Sequence, residues 1–202
     1  ADIAEAVVNL GAGMDSRGCR LSRTSSIPVF EVDQPVNIAA KRRAIQQAVG
    51  VLPPSVHLVA VHFQHDNLSD ALLRAGHDRT SRTFFIWEGV TQYLSEPAVR
   101  ATLDYLSTAA PGSRLAFTYV QRDFIDGSNL YGNTMLYKRF RMRSQVWMFG
   151  LSPAAVAPLL AEYGWRVLED VSGPEFQTRY LAPAGRRLST TELERTVLAE
   201  KS

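Results

Sequence analysis

Val7-Val-Asn-Leu-Gly-Ala-Gly-Met-Asp-Ser-Arg17 is an apolar run that breaks into a Gly-x-Gly turn. Glycine adopts conformations closed to other residues and lets another group come close to the backbone. After the first strand of an open α/β sheet, such a turn sits at the carboxyl end, where ligands bind. Reading outward, apolar runs at residues 6–10, 28–33, 56–61, 83–87 and 113–120 predict five strands. Helical patterns at 35–49, 68–75 and 96–109 alternate with them, the last stopping at Pro111-Gly112. Thr83-Phe-Phe-Ile-Trp87 is apolar almost throughout, as expected of a parallel strand covered on both faces. Ser152 as N-cap and Pro153 at the first position open a further helix that ends at Gly164. Residues 165–171 and 176–182, separated by Ser172-Gly-Pro174, predict a closing antiparallel hairpin. The expected fold is therefore α/β: a doubly wound, mostly parallel, Rossmann-like sheet of seven strands. All 202 residues form one domain, in which the aromatic and basic stretch 121–150 is a cap on the substrate side.

The candidate site follows from the strand ends. A dinucleotide fingerprint needs a third glycine where this chain has Ser16, so Gly-x-G-x-x-Gly is broken. A site for S-adenosyl-L-methionine, which has no pyrophosphate, has no use for that glycine. Asp33 ends the second strand 20 residues after Gly13, where an acid accepts both ribose hydroxyl hydrogens. Such a strand-end acid is expected to be exposed without ligand, and Glu31 shares its face. The third strand runs into His62-Phe-Gln-His-Asp66 and the fourth into Glu88-Gly89. Phe63 offers an apolar wall for an adenine ring. His62 and His65, with Asp66, lack a further ligand for a metal.

Composition narrows the partners. A formal net charge of +2 gives no basic face of the kind nucleic acid requires. Cys19 is the single cysteine, which excludes an internal disulfide and fits a cytoplasmic protein. Asp2 and Glu5 open the chain without a signal peptide, and no apolar run is long enough for a membrane span.

The chain resembles the leucine carboxyl methyltransferase-like family, in particular its bacterial S-adenosyl-L-methionine-dependent O-methyltransferases. The matching stretches are Leu10-Gly-Ala-Gly-Met-Asp-Ser-Arg17, Phe30-Glu-Val-Asp-Gln-Pro35 with Lys41, and Trp87-Glu-Gly-Val-Thr-Gln-Tyr-Leu94. Pro111-Gly-Ser-Arg114, residues 117–127 and the tail 194–199 also fit. The resemblance implies a class I methyltransferase fold in which Gly11, Ala12, Gly13, Asp33, His62, Phe63 and Glu88 contact the donor. It implies that Tyr93 and Gln64 face a small-molecule acceptor. His62 and Gln64 stand where the family has Asp and Arg, a departure that argues against leucine carboxyl methylation itself. The family carries helices before its first strand, whereas this chain enters that strand a few residues after Ala1. It therefore reads as short of that cover, with self-association through the uncovered face as an expectation.

Methylation of a carboxylate needs no general base. For a hydroxyl acceptor, Tyr93, His62 and His65 are the groups to test, and no catalytic base is assigned. Two other readings are an NAD(P)-dependent oxidoreductase and a donor-binding domain without activity. Ser16 and the lack of a Tyr-x-x-x-Lys pair argue against the first.

Overall fold

A computed structural model describes residues 4–202. Seven strands form one sheet: β1 (Ala6–Leu10), β2 (Val29–Asp33), β3 (Val56–Ala60), β4 (Thr83–Trp87), β5 (Arg114–Val120), β6 (Trp165–Ser172) and β7 (Glu194–Lys201). Their order is β3-β2-β1-β4-β5-β7-β6, with β7 antiparallel to both of its neighbours and the other pairs parallel. The expected doubly wound sheet is present. Strands run outward from β1 in one direction and from β4 in the other, so the switch point lies between them. A ligand crevice opens at such a point, at the carboxyl ends of the strands.

Right-handed crossovers place α1 (Arg17–Leu21) and α2 (Pro35–Val49) on one face, with α3 (Leu68–Arg74) and α4 (Glu96–Ser107) on the other. The α3/α4 face holds the main core. Val8, Leu10, Phe30, Val32, Phe85 and Trp87 pack there with Leu72, Leu103 and Leu106. Burial of each such side chain contributes about 1.5–3 kcal/mol. The α1/α2 face is thinner and buries charge: Glu31 and Lys41 are both inaccessible to solvent.

The cap consists of α5 (Arg122–Asp126), then α6 (Thr134–Tyr137) running into a π-helical turn over Lys138–Arg143. Phe124, Ile125, Trp147 and Leu193 form its own small core, against which Phe140 and Tyr137 pack. Pro153 begins α7 (Pro153–Glu162) as expected; Ser152 is extended at the N-cap, but its hydroxyl makes no capping bond.

The closing antiparallel pair is present, but its second strand is not the one expected. Residues 176–181 are helical rather than a strand: α8 (Gly173–Phe176) continues into a π-helical turn over Gln177–Leu181, and Ala182 follows in a turn. Ser172 and Glu175 explain why. Ser172 Oγ accepts from the Glu175 amide and Glu175 returns a bond to the Ser172 amide, a capping box that starts a helix. Phe176 and Tyr180 then meet one helical turn apart, with ring centroids at 5.0 Å. The strand that pairs with β6 is β7, whose Val197 and Ala199 point into the core.

Candidate functional site

The loop after β1 is shaped by its glycines. Gly11 has φ +74° and Gly13 has φ +43°, both in the left-handed region. Gly11 is required twice over, because a Cβ there would also collide with the Val90 side chain. Gly13 has open space around it, so only its backbone angle restricts the residue type. Gly11 N and Ala12 N both donate to Val32 O, at 2.8 and 2.9 Å, and Asp15 N donates to Ala12 O at 2.9 Å. Ala12 itself is buried. The loop is thus folded onto the end of β2 by main-chain bonds.

Asp33 differs from expectation. It is only 7% exposed, and its carboxylate already accepts three hydrogen bonds. Gly13 N donates at 2.6 Å to Oδ2, while Gln34 N and Asn37 Nδ2 each donate at 2.7 Å to Oδ1. A carboxylate offers about four lone-pair positions, so one remains for a ligand hydroxyl. Asp33 therefore shapes the loop as well as facing the crevice.

The ends of β3 and β4 supply the opposite wall. His62 N donates to Asp66 Oδ2 at 2.8 Å, closing a tight turn that leaves His62, Gln64 and His65 exposed. Phe63 is half-buried and packs on the main core. Beyond β4, Gly89 N donates to Thr118 Oγ1 at 2.8 Å and Thr91 Oγ1 donates to Thr118 O at 2.9 Å. These bonds pin a 3-10 turn, Thr91–Tyr93, to β5. Tyr93 remains 40% exposed, its ring edge-on to Trp147 at 6.1 Å. Met148 N donates to Gln92 O at 2.7 Å, which ties the cap to the same turn.

Together these walls enclose a cleft of about 410 Å³, within the range usual for small-molecule sites. Of the residues singled out from sequence, Gly11, Asp33, His62, Phe63, Gln64, His65 and Tyr93 line it. Ala12, Gly13 and Glu88 do not. Sequence reasoning missed Asn37, Val90 and Leu94, which also line it. Asn37 follows Asp33 by one helical turn, a spacing that signals contact once α2 is placed.

Glu88 sits to one side, 2.5 Å from Arg17 Nη2. Arg17 Nε also meets Asp15 Oδ2 at 2.5 Å, so one guanidinium bridges the loops after β1 and β4. Partial burial acts to raise the Asp15 carboxyl, but bonds from Arg17 and from Asn9 outweigh it and hold it below the ordinary range. Among the described residues, no cluster of three or more His, Cys, Asp or Glu could hold a metal ion. Among the described residues there is also no helix long and apolar enough to cross a membrane.

The model of the leucine carboxyl methyltransferase family matches residues 1–107, which contain every residue lining the cleft. A Mycobacterium tuberculosis protein named "Putative S-adenosyl-L-methionine-dependent methyltransferase" is 31% identical over 200 residues, covering 95% of this chain. A Streptomyces coelicolor protein with the same descriptive name is 39% identical over 121 residues, 59% of this chain and 42% of its own length. This chain spans 60% of the length of the mycobacterial relative. Among solved structures, human N-acetylserotonin methyltransferase in complex with SAM aligns over 98% of this chain and 48% of its own, with TM-score 0.61 and 15% identity. The magnesium protoporphyrin IX methyltransferase of Synechocystis PCC 6803, with bound SAH, aligns over 97% and 74% with TM-score 0.60 and 13% identity. Those two likenesses establish the fold as that of class I methyltransferases. With more than half of its residues matched by the family model, this chain belongs to the leucine carboxyl methyltransferase family.

Proposed function

We propose that this chain carries the donor site of an S-adenosyl-L-methionine-dependent methyltransferase that methylates a carboxylate or hydroxyl oxygen of a small molecule. The observation that carries the reading is the cleft at the switch point, which Gly11, Asp33 and Phe63 all line. The residues fit the donor. Asp33 keeps one acceptor position toward a ribose hydroxyl, and Phe63 offers an apolar wall to the adenine. The absent side chain of Gly11 lets Val90 line the floor. The curated relatives' names point to the same cofactor.

When bound, the donor supplies an electrophilic methyl group for in-line displacement by the acceptor oxygen. The chain's own residues then have to align that oxygen and exclude water. Tyr93 would serve the first task; its place in the cleft lining and its ring contact with Trp147 support that reading. The cap serves the second through the bond between Met148 and Gln92. Ala12 and Gly13 hold the loop rather than line the cleft, and Glu88 stands beside it with Arg17. Gln64 and His62 would meet the acceptor and the adenine edge respectively. A carboxylate acceptor requires no proton removal; for a hydroxyl acceptor, Tyr93, His62 and His65 are the candidate bases.

Two measurements test the reading. S-adenosylhomocysteine should raise the melting temperature while NADH leaves it unchanged, because only a ligand of the native state shifts it. A screen of carboxylate and hydroxyl acceptors with donor labelled in the methyl group should then return a labelled ester or ether. Stabilisation by NADH alone would replace this reading with that of an oxidoreductase.

A further inference from the structure

Beneath the glycine loop lies an ion pair that the donor site does not touch. Lys41 Nζ is 2.7 Å from Glu31 Oε2, and both side chains are at least 97% buried. The Glu31 carboxylate lies against Gly18 of α1, where a Cβ would collide with its Oε1. Burial pushes this carboxyl upward and Lys41 opposes the shift. Removing two charges from water is costly, and well-packed apolar residues often hold a fold as firmly. Stability is therefore a weak reason for the pair. Its remaining contact points elsewhere: Lys41 Nζ donates to Ala12 O at 3.3 Å, at the peptide between Gly11 and Gly13.

We infer that Lys41, held by Glu31, is a positioning residue that fixes the Ala12 carbonyl and so sets the glycine loop in its donor-binding shape. The inference rests on the donor reading given above. Around Ala12 every other tie is main chain: two amides reach Val32 O, and Asp15 N reaches Ala12 O. None of these ties comes from α2; Lys41 adds a direct bond from the helix whose Asn37 reaches the loop only through Asp33. Without the ammonium, the Ala12 carbonyl keeps only the bond from Asp15 N, and Gly13 N, which belongs to the same peptide, is held less firmly against Asp33 Oδ2. Lys41 is not among the residues that line the cleft, so its effect on the ligand is transmitted through the loop.

The test uses Lys41→Met and the double variant Glu31→Leu with Lys41→Met, which removes both charges at similar volume. Calorimetry with S-adenosylhomocysteine and thermal melting are run on both variants and on the parent chain. The expected result is a double variant that melts close to the parent yet binds about ten- to a hundred-fold more weakly, the effect of one charged hydrogen bond. Lys41→Met, left with an uncompensated carboxylate, should be less stable than either. A double variant that binds as tightly as the parent overturns the inference, as does one that fails to fold or melts far below it. A parent chain that does not bind S-adenosylhomocysteine overturns the donor reading itself, and this inference with it.

Discussion

Gly11 and Gly13 look alike in sequence but should behave differently when substituted. Gly13→Ala meets open space and carries only the cost of a left-handed backbone, about 1–2 kcal/mol. Gly11→Ala adds a collision with Val90, for a further ~1–3 kcal/mol of strain. Urea denaturation should rank Gly11→Ala well below Gly13→Ala, and adding Val90→Ala should recover the difference. Equal stabilities would mean that Val90 is not packed against the loop. Asp33 makes a second contrast. Its three internal bonds and one free acceptor position predict that Asp33→Ala loses roughly 2–3 kcal/mol in donor affinity. Stability should fall as well, by about 1 kcal/mol or more, because the amides of Gly13 and Gln34 and the side chain of Asn37 lose their partner. Calorimetry and denaturation together check this; lost affinity at full stability would restore the picture of an exposed acid. That part of Asp33 was illegible in the sequence, since nothing there says that the loop amide folds back onto the carboxylate.

Elements were legible where a local signal and the tertiary context agree. Pro35–Val49 and Thr83–Trp87 form with the boundaries expected, one from a proline at its start and one from an unbroken apolar run. Residues 173–193 show the opposite case. Phe176, Tyr180 and their neighbours are apolar and aromatic enough to suggest a strand, and Gly-Pro suggested a turn. The Ser172-x-x-Glu175 capping signal was present and decides the matter locally. Ser172→Ala should therefore cost about 1 kcal/mol, read as a lowered urea midpoint. Gly173→Ala should cost more, because its Cβ would collide with the Thr191 carbonyl, which is backbone and cannot swing aside. The candidate site was legible to the extent that it sits on strand ends: Gly11, Asp33, Phe63 and Tyr93 converge as expected. Lys41 and Glu31 were visible as residues, but their pairing depends on how α1 and α2 lie on the sheet.

Across the whole molecule, the parallel half builds the cleft and the antiparallel β5-β7-β6 half supports the cap. His77 helps to tie the parallel half together far from the cleft. Its Nε2 lies 3.0 Å from Thr83 Oγ1 and its Nδ1 lies 3.0 Å from Tyr105 OH, joining the start of β4 to α4. Burial lowers this imidazole below its ordinary 6.5, with Asp78 opposing and Arg79 assisting. The unfolded chain therefore takes up a proton near 6.5 that the folded chain resists. Stability from this group is present above that value and is lost as pH falls from it. Glu31, raised by burial, acts in the opposite sense in mildly acid solution, so the effect must be isolated by substitution. The drop in urea midpoint from about pH 7.5 to about pH 5.5 should be smaller in His77→Gln than in the parent. An equal drop would show that His77 is not the group responsible. On the proposed reading, the switch-point cleft is a donor site built around Gly11 and Asp33. Its most direct test is calorimetric titration of S-adenosylhomocysteine into the parent chain and Asp33→Ala, with NADH as the control. Saturable binding of one S-adenosylhomocysteine per chain, weakened by the substitution, is the expected result, with no heat from NADH. No binding of S-adenosylhomocysteine, or binding indifferent to Asp33, would contradict it.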